Sequence, residues 1–165
     1  MPVQRPHRSE QSVGTPPEFI KAAEHYLSIK SFAIDLAASF DNRVCTPYIT
    51  RERNTLNVGW ADEIPMRGWG WLNPEYRKIT PWVKKARYEQ RWLKNYSGIA
   101  VLVPASTGSN WWRDWVHNKA RVLLLNGRVT FVGHTTGYPR DLALLLYSQV
   151  YAPGYEVWSW KREQT

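Results

Sequence analysis

Residues 69–76 read Trp-Gly-Trp-Leu-Asn-Pro-Glu-Tyr, a short aromatic run that stops at an Asn-Pro pair. Aromatic and apolar residues favour strands, and an Asn-Pro pair favours a turn. We therefore predict a strand over Trp69–Leu72 that ends in a turn beginning at Asn73. Ligands of open α/β sheets bind beyond the carboxyl ends of the strands, so this turn is a candidate binding site. The tetrapeptide alone is weak evidence and favours an ordinary turn, because Asn-Pro begins many turns.

Helices and strands alternate on both sides of this strand. Thr15 as N-cap and Pro16 in the first turn predict a helix over Pro16–Ile29, with Phe19, Ala23, Tyr26 and Leu27 on one face. A strand over Phe32–Leu36 and a long loop over residues 37–68 follow. Thr80 and Pro81 begin a predicted helix that reaches about Tyr96 and is closed by Gly98.

The second half of the chain is richer in strands. The apolar run Ile99–Pro104 is typical of a buried strand, and a short helix over Asn110–His117 comes next. Further strands are predicted over residues 121–125, 129–131, 142–147 and 156–160. This order predicts an α/β fold, a three-layer sandwich whose sheet is mostly parallel with an antiparallel edge.

Length, charge and composition limit the possible classes of protein. The 165 residues suffice for one domain, which we place at 15–165 behind a flexible basic arm at 1–14. The net charge of +8 favours an acidic partner, and 43% hydrophobic residues exclude a wholly disordered chain. We expect no membrane span and no secretory signal, because the apolar runs are too short. The single Cys45 permits no intrachain disulfide and favours a cytoplasmic location.

The positive charge is concentrated directly after the Asn-Pro turn. Residues 77–94 contain seven Lys or Arg side chains and one Glu. The polar face of the predicted helix would collect Lys84, Arg87, Arg91 and Lys94. A charge run is usually a solvated helix face, but here it follows a turn that could hold a flat aromatic base. We therefore expect phosphate contacts from this segment.

The predicted strand Phe32–Leu36 contains Asp35 and leads into the small residues Ala37, Ala38 and Ser39. Small residues let a ligand approach the backbone, and a carboxylate can bind an amino or hydroxyl group. The segment lacks the glycine pattern of dinucleotide sites, so residue types alone favour a plain strand end and turn.

Five segments occur together in a fixed order: Thr15–Phe19, Phe32–Ser39, Asn73–Tyr76 with Pro81–Ala86, Leu102–Ala105, and Leu125–Phe131. In this order they resemble the bacteriophage-type DNA N-6-adenine methyltransferase family over about residues 15–160. The resemblance implies a Rossmann-like methyltransferase fold, S-adenosylmethionine as cofactor, and methyl transfer to the exocyclic amine of adenine in DNA. It also implies a flipped-out target base.

The resemblance assigns roles to particular positions. Asn73, Pro74 and Tyr76 match the catalytic motif, in which the Asn side chain and the Pro carbonyl accept hydrogen bonds from the target amine and the Tyr stacks on the base. The positions that match cofactor-binding segments are Thr15, Pro16, Phe19, Asp35, Ala37 and Ala38. The expected contacts with DNA are the loop 37–68, the helix 80–96 and the basic arm, and among individual residues Arg77, Lys78, Lys84, Arg87 and Arg91. We expect short or relaxed sequence specificity.

Glu75 departs from the family motif, which has a second proline at this position. Either the turn tolerates a carboxylate there, or the site has become weakly active or binds DNA without catalysis. A nucleic-acid-binding module that keeps the fold and lacks the reaction is therefore the alternative function, since basic and aromatic residues also suit single strands.

The remaining reactive residues are expected to be structural. Cys45 has no evident activating His, so we interpret it as inert. His7, His25, His117 and His134 lack the spacing of metal ligands, and no metal is expected. Trp111, Trp112 and Trp115 have helical spacing that fits core packing or a lid over the cofactor, and Trp158 and Trp160 should share one face.

Overall fold

The computed structural model describes residues 14–38, 42–45, 47–49 and 55–164. These residues include three helices: α1 (Pro17–Leu27), α2 (Thr80–Gln90) and α3 (Asn110–Trp115). Six strands form one sheet: β1 (Ile34–Asp35), β2 (Trp69–Leu72), β3 (Gly98–Pro104), β4 (Arg121–Leu125), β5 (Leu142–Ser148) and β6 (Gly154–Trp158). Single 3₁₀ turns cover Thr55–Asn57, Ala61–Glu63 and Tyr76–Lys78, and a longer one covers Trp160–Gln164.

The sheet has the strand order β1-β2-β3-β5-β4-β6. Strands β1, β2 and β3 pair in parallel, β4 and β6 pair in parallel, and β5 is antiparallel to both of its neighbours. The other five strands therefore end at the same edge of the sheet. We call this edge the C-terminal edge, and Asn73 follows β2 there.

The prediction of an antiparallel edge is wrong, because the antiparallel strand β5 lies inside the sheet between β3 and β4. All seven residues of β5 are buried, as expected of a strand with a neighbour on each side and a packed layer on each face. The edge strand β6 alternates between exposed and partly buried residues before Trp158, which suits an edge position.

Both faces of the sheet are covered by apolar layers. On one face, Val83 and Ala86 of α2 and Trp112 of α3 join strand residues such as Val101 and Leu145. On the other face, Phe19 and Ala23 of α1 join a second cluster that includes Leu102, Leu144, Trp158 and Trp160. Trp158 and Trp160 thus share a face as predicted, and Trp112 is a core residue. The described residues form a mixed α/β structure.

Two predicted helix ends are wrong. Helix α1 has no side-chain N-cap bond from Thr15, since Pro16 occupies the cap position and its carbonyl accepts from the N–H groups of Phe19 and Ile20. Helix α2 ends at Gln90 instead of about Tyr96, and Gly98 begins β3 instead of closing the helix. A Cβ at Gly98 would lie 2.4 Å from the Trp69 ring, so close packing between β2 and β3 explains this glycine.

Other element boundaries also shift. The predicted strand over residues 129–131 is wrong, because these residues belong to the connection between β4 and β5. Val129 and Phe131 are nevertheless buried, which explains the strand-like apolar alternation. In the predicted loop 37–68, Tyr48 pairs in parallel with Asp35 and extends the sheet beyond β1. Residues 39–41, 46 and 50–54 of that loop, and 1–13 of the predicted arm, lie outside the described residues.

Within the described part of the chain, no helix is long and apolar enough to cross a membrane.

Candidate active site

The candidate site lies where β1 and β2 end side by side. Asp35 of β1 pairs with Trp71 of β2, and the Leu36 N–H donates to the Trp71 carbonyl at 2.9 Å. Neighbouring strands are about 4.8 Å apart, so the chain leaves the two strands at adjacent positions of the C-terminal edge. The sheet therefore brings together the Asp35 and Asn73 segments, which are 38 positions apart in the sequence.

The Asn73 side chain is held by two other side chains, Thr15 before α1 and Tyr76 after the turn. Its Nδ2 donates to the Thr15 hydroxyl at 3.3 Å, and the Tyr76 hydroxyl donates to its Oδ1 at 3.0 Å. Thr15 is buried directly before α1, and its hydroxyl bonds to Asn73 instead of capping that helix. These bonds orient the Asn73 amide, so its oxygen is held in a fixed direction for a hydrogen-bond donor.

Asp35 is a buried carboxylate with specific backbone partners. It is 2% exposed, its Oδ1 accepts from the Ala37 N–H at 3.2 Å, and its Oδ2 accepts from the Val44 N–H at 2.9 Å. Burial raises the pKa of Asp35 to about 6, although the two backbone hydrogen bonds oppose that rise. A buried carboxyl group with a strongly raised pKa, at the end of a strand, is a candidate ligand-binding residue.

The turn after β2 has a backbone that suits proline at two successive positions. Pro74 is buried, and Glu75 is partly buried with φ −66° and ψ 121°. The φ of proline is fixed near −65°, so Glu75 already has the torsion angle that the motif proline would impose. The departure from the motif therefore leaves this part of the turn in the expected conformation.

The other residues matched to the cofactor segments surround the same strand ends. Pro16 is buried directly before α1, Ala37 is partly buried, and Ala38 is buried with its N–H donating to the Ile49 carbonyl at 3.0 Å. Phe19 is fully buried and contacts Trp71 and Trp160 edge-on, with ring centroids 6.1 and 5.1 Å apart. Phe19 thus supports β2 from behind the site.

The predicted phosphate-binding residues are divided between two edges of the sheet. Arg77 and Lys78 are exposed in the turn that follows Tyr76, at the C-terminal edge. Helix α2 then runs about 16 Å toward the other edge, where the Gln90 amide donates to the Ser148 carbonyl at 2.7 Å. Lys84 lies over the Trp115 ring, Arg87 donates to Gln90, and Arg91 lies over the Tyr88 ring.

Lys94 has a structural role that the helix pattern did not reveal. Its Nζ donates to the carbonyls of Ala61 and Ile64, at 2.9 and 2.8 Å. Glu89, nearby on α2, accepts from the Ala61 N–H and from Lys85, each at 2.9 Å. Burial alone would raise the pKa of Glu89, but these hydrogen bonds lower it below the usual value. Part of the basic segment therefore also fixes the chain before β2 through hydrogen bonds.

Sequence reasoning missed Tyr138, which extends the site. Its ring is buried and lies edge-on to Tyr76, with centroids 5.9 Å apart and an interplanar angle of 77°. It belongs to the connection over residues 126–141, in which the sequence indicates the segment Leu125–Phe131 but no role for Tyr138. The motif Leu125–Phe131 was the available signal, because it belonged to the ordered set of segments.

The free thiol of Cys45 is partly buried. Burial, together with the nearby Asp35 and Glu24 carboxylates, raises the pKa of Cys45 to about 12, which disfavours the thiolate form. Among the described residues, no three His, Cys, Asp or Glu side chains are grouped so that they could hold a metal ion.

A separate cavity of about 320 Å³ lies at the opposite edge, where β2 begins. Its lining includes Leu27, Arg67, Trp69, Tyr96 and Tyr151, none of which was predicted as a site residue. The chemistry-bearing residues at Asp35 and Asn73 lie at the other end of the same strands, and we place the candidate site there.

The sequence of the chain matches a family of enzymes. Residues 4–144 match the family model described as DNA N-6-adenine-methyltransferase (Dam), so the chain belongs to this family. A curated relative, the DNA N-6-adenine-methyltransferase of Escherichia phage T1, is 30% identical over an alignment of 125 residues, and the match covers 67% of this chain and 50% of that protein. The chain thus spans about half the length of this relative.

Proposed function

We propose that this protein transfers a methyl group from S-adenosylmethionine to the N-6 amine of adenine in DNA, within a single Rossmann-like, three-layer domain over residues 15–165. The observation that carries the proposal is the Asn73 side chain, held between Thr15 and Tyr76 beside the buried Asp35. Family membership supports the reaction class. We expect the protein to act in the cytoplasm of the host cell.

Asn73, Pro74 and Tyr76 are the proposed catalytic residues. The Asn73 Oδ1 and the Pro74 carbonyl would accept the two N–H groups of the target amine, so that the amine lone pair points away from the turn. The Tyr76 hydroxyl donates to the same Asn73 oxygen. When the amine binds, the hydroxyl would either share this oxygen with the amine or move away from it. The Tyr76 ring would then stack on the base.

The residues around Asp35 fit the proposed cofactor. Its carboxylate is an acceptor for an amino or hydroxyl group, and Ala37 and Ala38 leave room for a ligand near the backbone. Thr15 and Pro16 border the site directly before α1, and Phe19 of α1 packs against Trp71 of β2. When bound, S-adenosylmethionine would supply the electrophilic methyl group. The described residues offer no candidate metal site, and the proposal requires none.

A base within a duplex cannot reach this turn, so the adenine would have to be flipped out at a cost of a few kcal/mol. Contacts with phosphates would offset that cost. Arg77 and Lys78 are closest to the turn, while Lys84, Arg87 and Arg91 follow along α2. We expect relaxed sequence specificity.

The test is methylation of unmodified DNA with labelled S-adenosylmethionine, followed by digestion to nucleosides. We expect N-6-methyladenine from the wild-type protein and a decrease of at least about 100-fold for Asn73→Ala, because that change removes a group aligned with the reacting amine. Lys30→Ala, an exposed change beyond α1, is the control that should methylate normally. No methyladenine from the wild-type protein at any salt concentration would contradict the proposal.

Glu75 supports a second candidate, a DNA-binding protein without catalysis. Calorimetry separates the two. Micromolar binding of S-adenosylmethionine that Asp35→Ala abolishes favours the enzyme, whereas DNA binding without cofactor binding favours the second candidate. Because φ at Glu75 suits proline, Glu75→Pro should fold normally, and a large gain in methylation would show that the carboxylate weakens the site.

A further inference from the structure

The connection between β4 and β5, residues 126–141, lies at the C-terminal edge of the sheet together with Asn73. It contains a pocket of about 200 Å³ whose lining includes Asn126, Gly127, Arg128, Arg140 and Asp141. Strand order separates the ends of β2 and β4 by three strand spacings, or about 14 Å. The proposed function assigns no role to this pocket.

The backbone of this connection is shaped around Arg128. Gly127 has φ +119°, a conformation that side chains rarely adopt, and its carbonyl accepts from the Trp160 Nε1 at 2.8 Å. A Cβ at Gly137 would lie 2.6 Å from the Arg128 Cβ, so only glycine permits this close approach. The backbone is therefore constrained at Gly127 and at Gly137, and both positions lie next to Arg128, whose guanidinium is exposed.

The Arg128 side chain is oriented by two acceptors. Its guanidinium donates to the Tyr138 carbonyl at 3.5 Å and lies 3.3 Å from an Asp141 carboxylate oxygen. Both members of this ion pair are at least half exposed, so the pair itself contributes less than about 1 kcal/mol to stability. Because this ion pair is exposed and weak, the N–H donors of Arg128 are accessible to an anion from solvent.

The same loop contacts the proposed catalytic turn. The ring of Tyr138 lies against that of Tyr76, and Phe131 lies edge-on to Tyr138 with centroids 5.6 Å apart. An anion on Arg128 would therefore be bound by a loop that packs against the residue proposed to stack on the base.

We propose that Arg128 and Arg140 form a binding pocket for a phosphate of the DNA strand that carries the target adenine. This inference rests on the proposed function. Two exposed guanidiniums offer planar, fixed donors that match phosphate geometry, and Asp141 leaves the pocket a net charge of +1. The phosphate would position the strand without reading its sequence.

The experiment measures the anisotropy of a fluorescein-labelled, adenine-containing duplex without cofactor, between about 50 and 300 mM salt. Arg128→Ala and Arg140→Ala should each weaken binding roughly 5- to 10-fold at low salt, and should each reduce the slope of log affinity against log salt by about 0.9. Arg128→Lys should restore most of the slope. Asp141→Asn should tighten binding, because it removes the negative charge from the pocket.

Lys30→Ala removes one exposed charge at the opposite edge and should leave affinity and slope almost unchanged. Unchanged binding by both arginine variants, or weaker binding by Asp141→Asn, would overturn the inference. Failure of the proposed function is distinguishable, because it is measured as loss of methylation by the wild-type protein, whereas these measurements need neither cofactor nor turnover. The melting temperature of each variant checks that it is folded.

Discussion

Both polar atoms of the Asn73 side chain form hydrogen bonds within the protein. Thr15 accepts from its Nδ2, and the Tyr76 hydroxyl donates to its Oδ1. The first bond fixes the orientation of the amide, while the second occupies the oxygen that would receive the adenine amine. Tyr76 therefore has two separable features, a hydroxyl that competes for Asn73 and a ring that can stack on a base.

Substitutions at Tyr76 should separate these features. Tyr76→Phe keeps the ring and removes the competing donor, so we expect methylation at least half as fast as wild type and unchanged or tighter DNA binding. Tyr76→Ala also removes the stacking face, which is worth about 1–3 kcal/mol per base, and methylation should decrease at least 10-fold. Steady-state kinetics on one duplex would measure both. Equal losses for the two variants would show that the hydroxyl itself is required.

Asp35 should make stability depend on pH in a definite direction. Its pKa is raised from 3.8 to about 6 by burial, so between these values the folded protein holds a proton that the unfolded chain has lost. The contribution of Asp35 to stability is therefore complete below about pH 4 and decreases by about 3 kcal/mol as pH rises to 6. Asp35→Asn removes this decrease.

Urea unfolding of both proteins from pH 4 to 8 tests this expectation. Asparagine cannot accept both backbone N–H groups equally well, so a constant loss of stability is expected in addition. The informative quantity is the difference in unfolding free energy between variant and wild type, which should rise with pH up to about 6 and then stay constant. A difference independent of pH would contradict a raised pKa.

At the scale of elements, the site depends on how closely β2 and β3 approach each other. Trp69 begins β2, and its ring covers Gly98 at the start of β3. This contact lies at the opposite edge from Asn73, so it affects the site only by fixing the position of β2. Glycine is needed here for space, because its φ is not in the left-handed region.

Gly98→Ala should therefore destabilise the sheet. The new methyl group would overlap the buried Trp69 ring, and overpacking of this kind costs about 1–3 kcal/mol. Gly108→Ala is a matched control, since a Cβ there meets nothing within 4 Å. Thermal unfolding should show a lower melting temperature for Gly98→Ala alone. Equal melting temperatures would mean that the Trp69 ring can move aside without cost.

Across the whole molecule, sequence patterns correctly predicted those helices and strands that residues within or next to the element itself define. Trp69–Leu72 was correct to the residue, because an aromatic run and an Asn-Pro breaker coincide there. Thr15 was misinterpreted as a cap, since its partner is Asn73, 58 positions away. The internal position of β5 and the role of Tyr138 also depend on pairings between distant segments, which local periodicity does not contain.

The distribution of positive charge is the property of the whole molecule on which the proposed DNA binding depends. The sequence places seven cations in residues 77–94 as one run, but α2 carries that run from the C-terminal edge to the opposite one. Arg77 and Lys78 remain beside the proposed catalytic turn, whereas Arg87 and Arg91 lie toward the far end of α2. Proximity to the turn should therefore determine their contributions.

Two double substitutions that each remove two positive charges test this. Arg77→Ala with Lys78→Ala should weaken duplex binding more than Arg87→Ala with Arg91→Ala, and should reduce the salt slope by up to about 1.8. The substitutions at Arg87 and Arg91 should weaken binding less. When a base is held at Asn73, fewer phosphates of the same DNA would lie near the opposite edge of the sheet. Affinity measured by anisotropy at several salt concentrations gives both quantities. Equal slopes would show that the DNA follows the whole length of α2, so that the sheet edge alone does not define the binding surface.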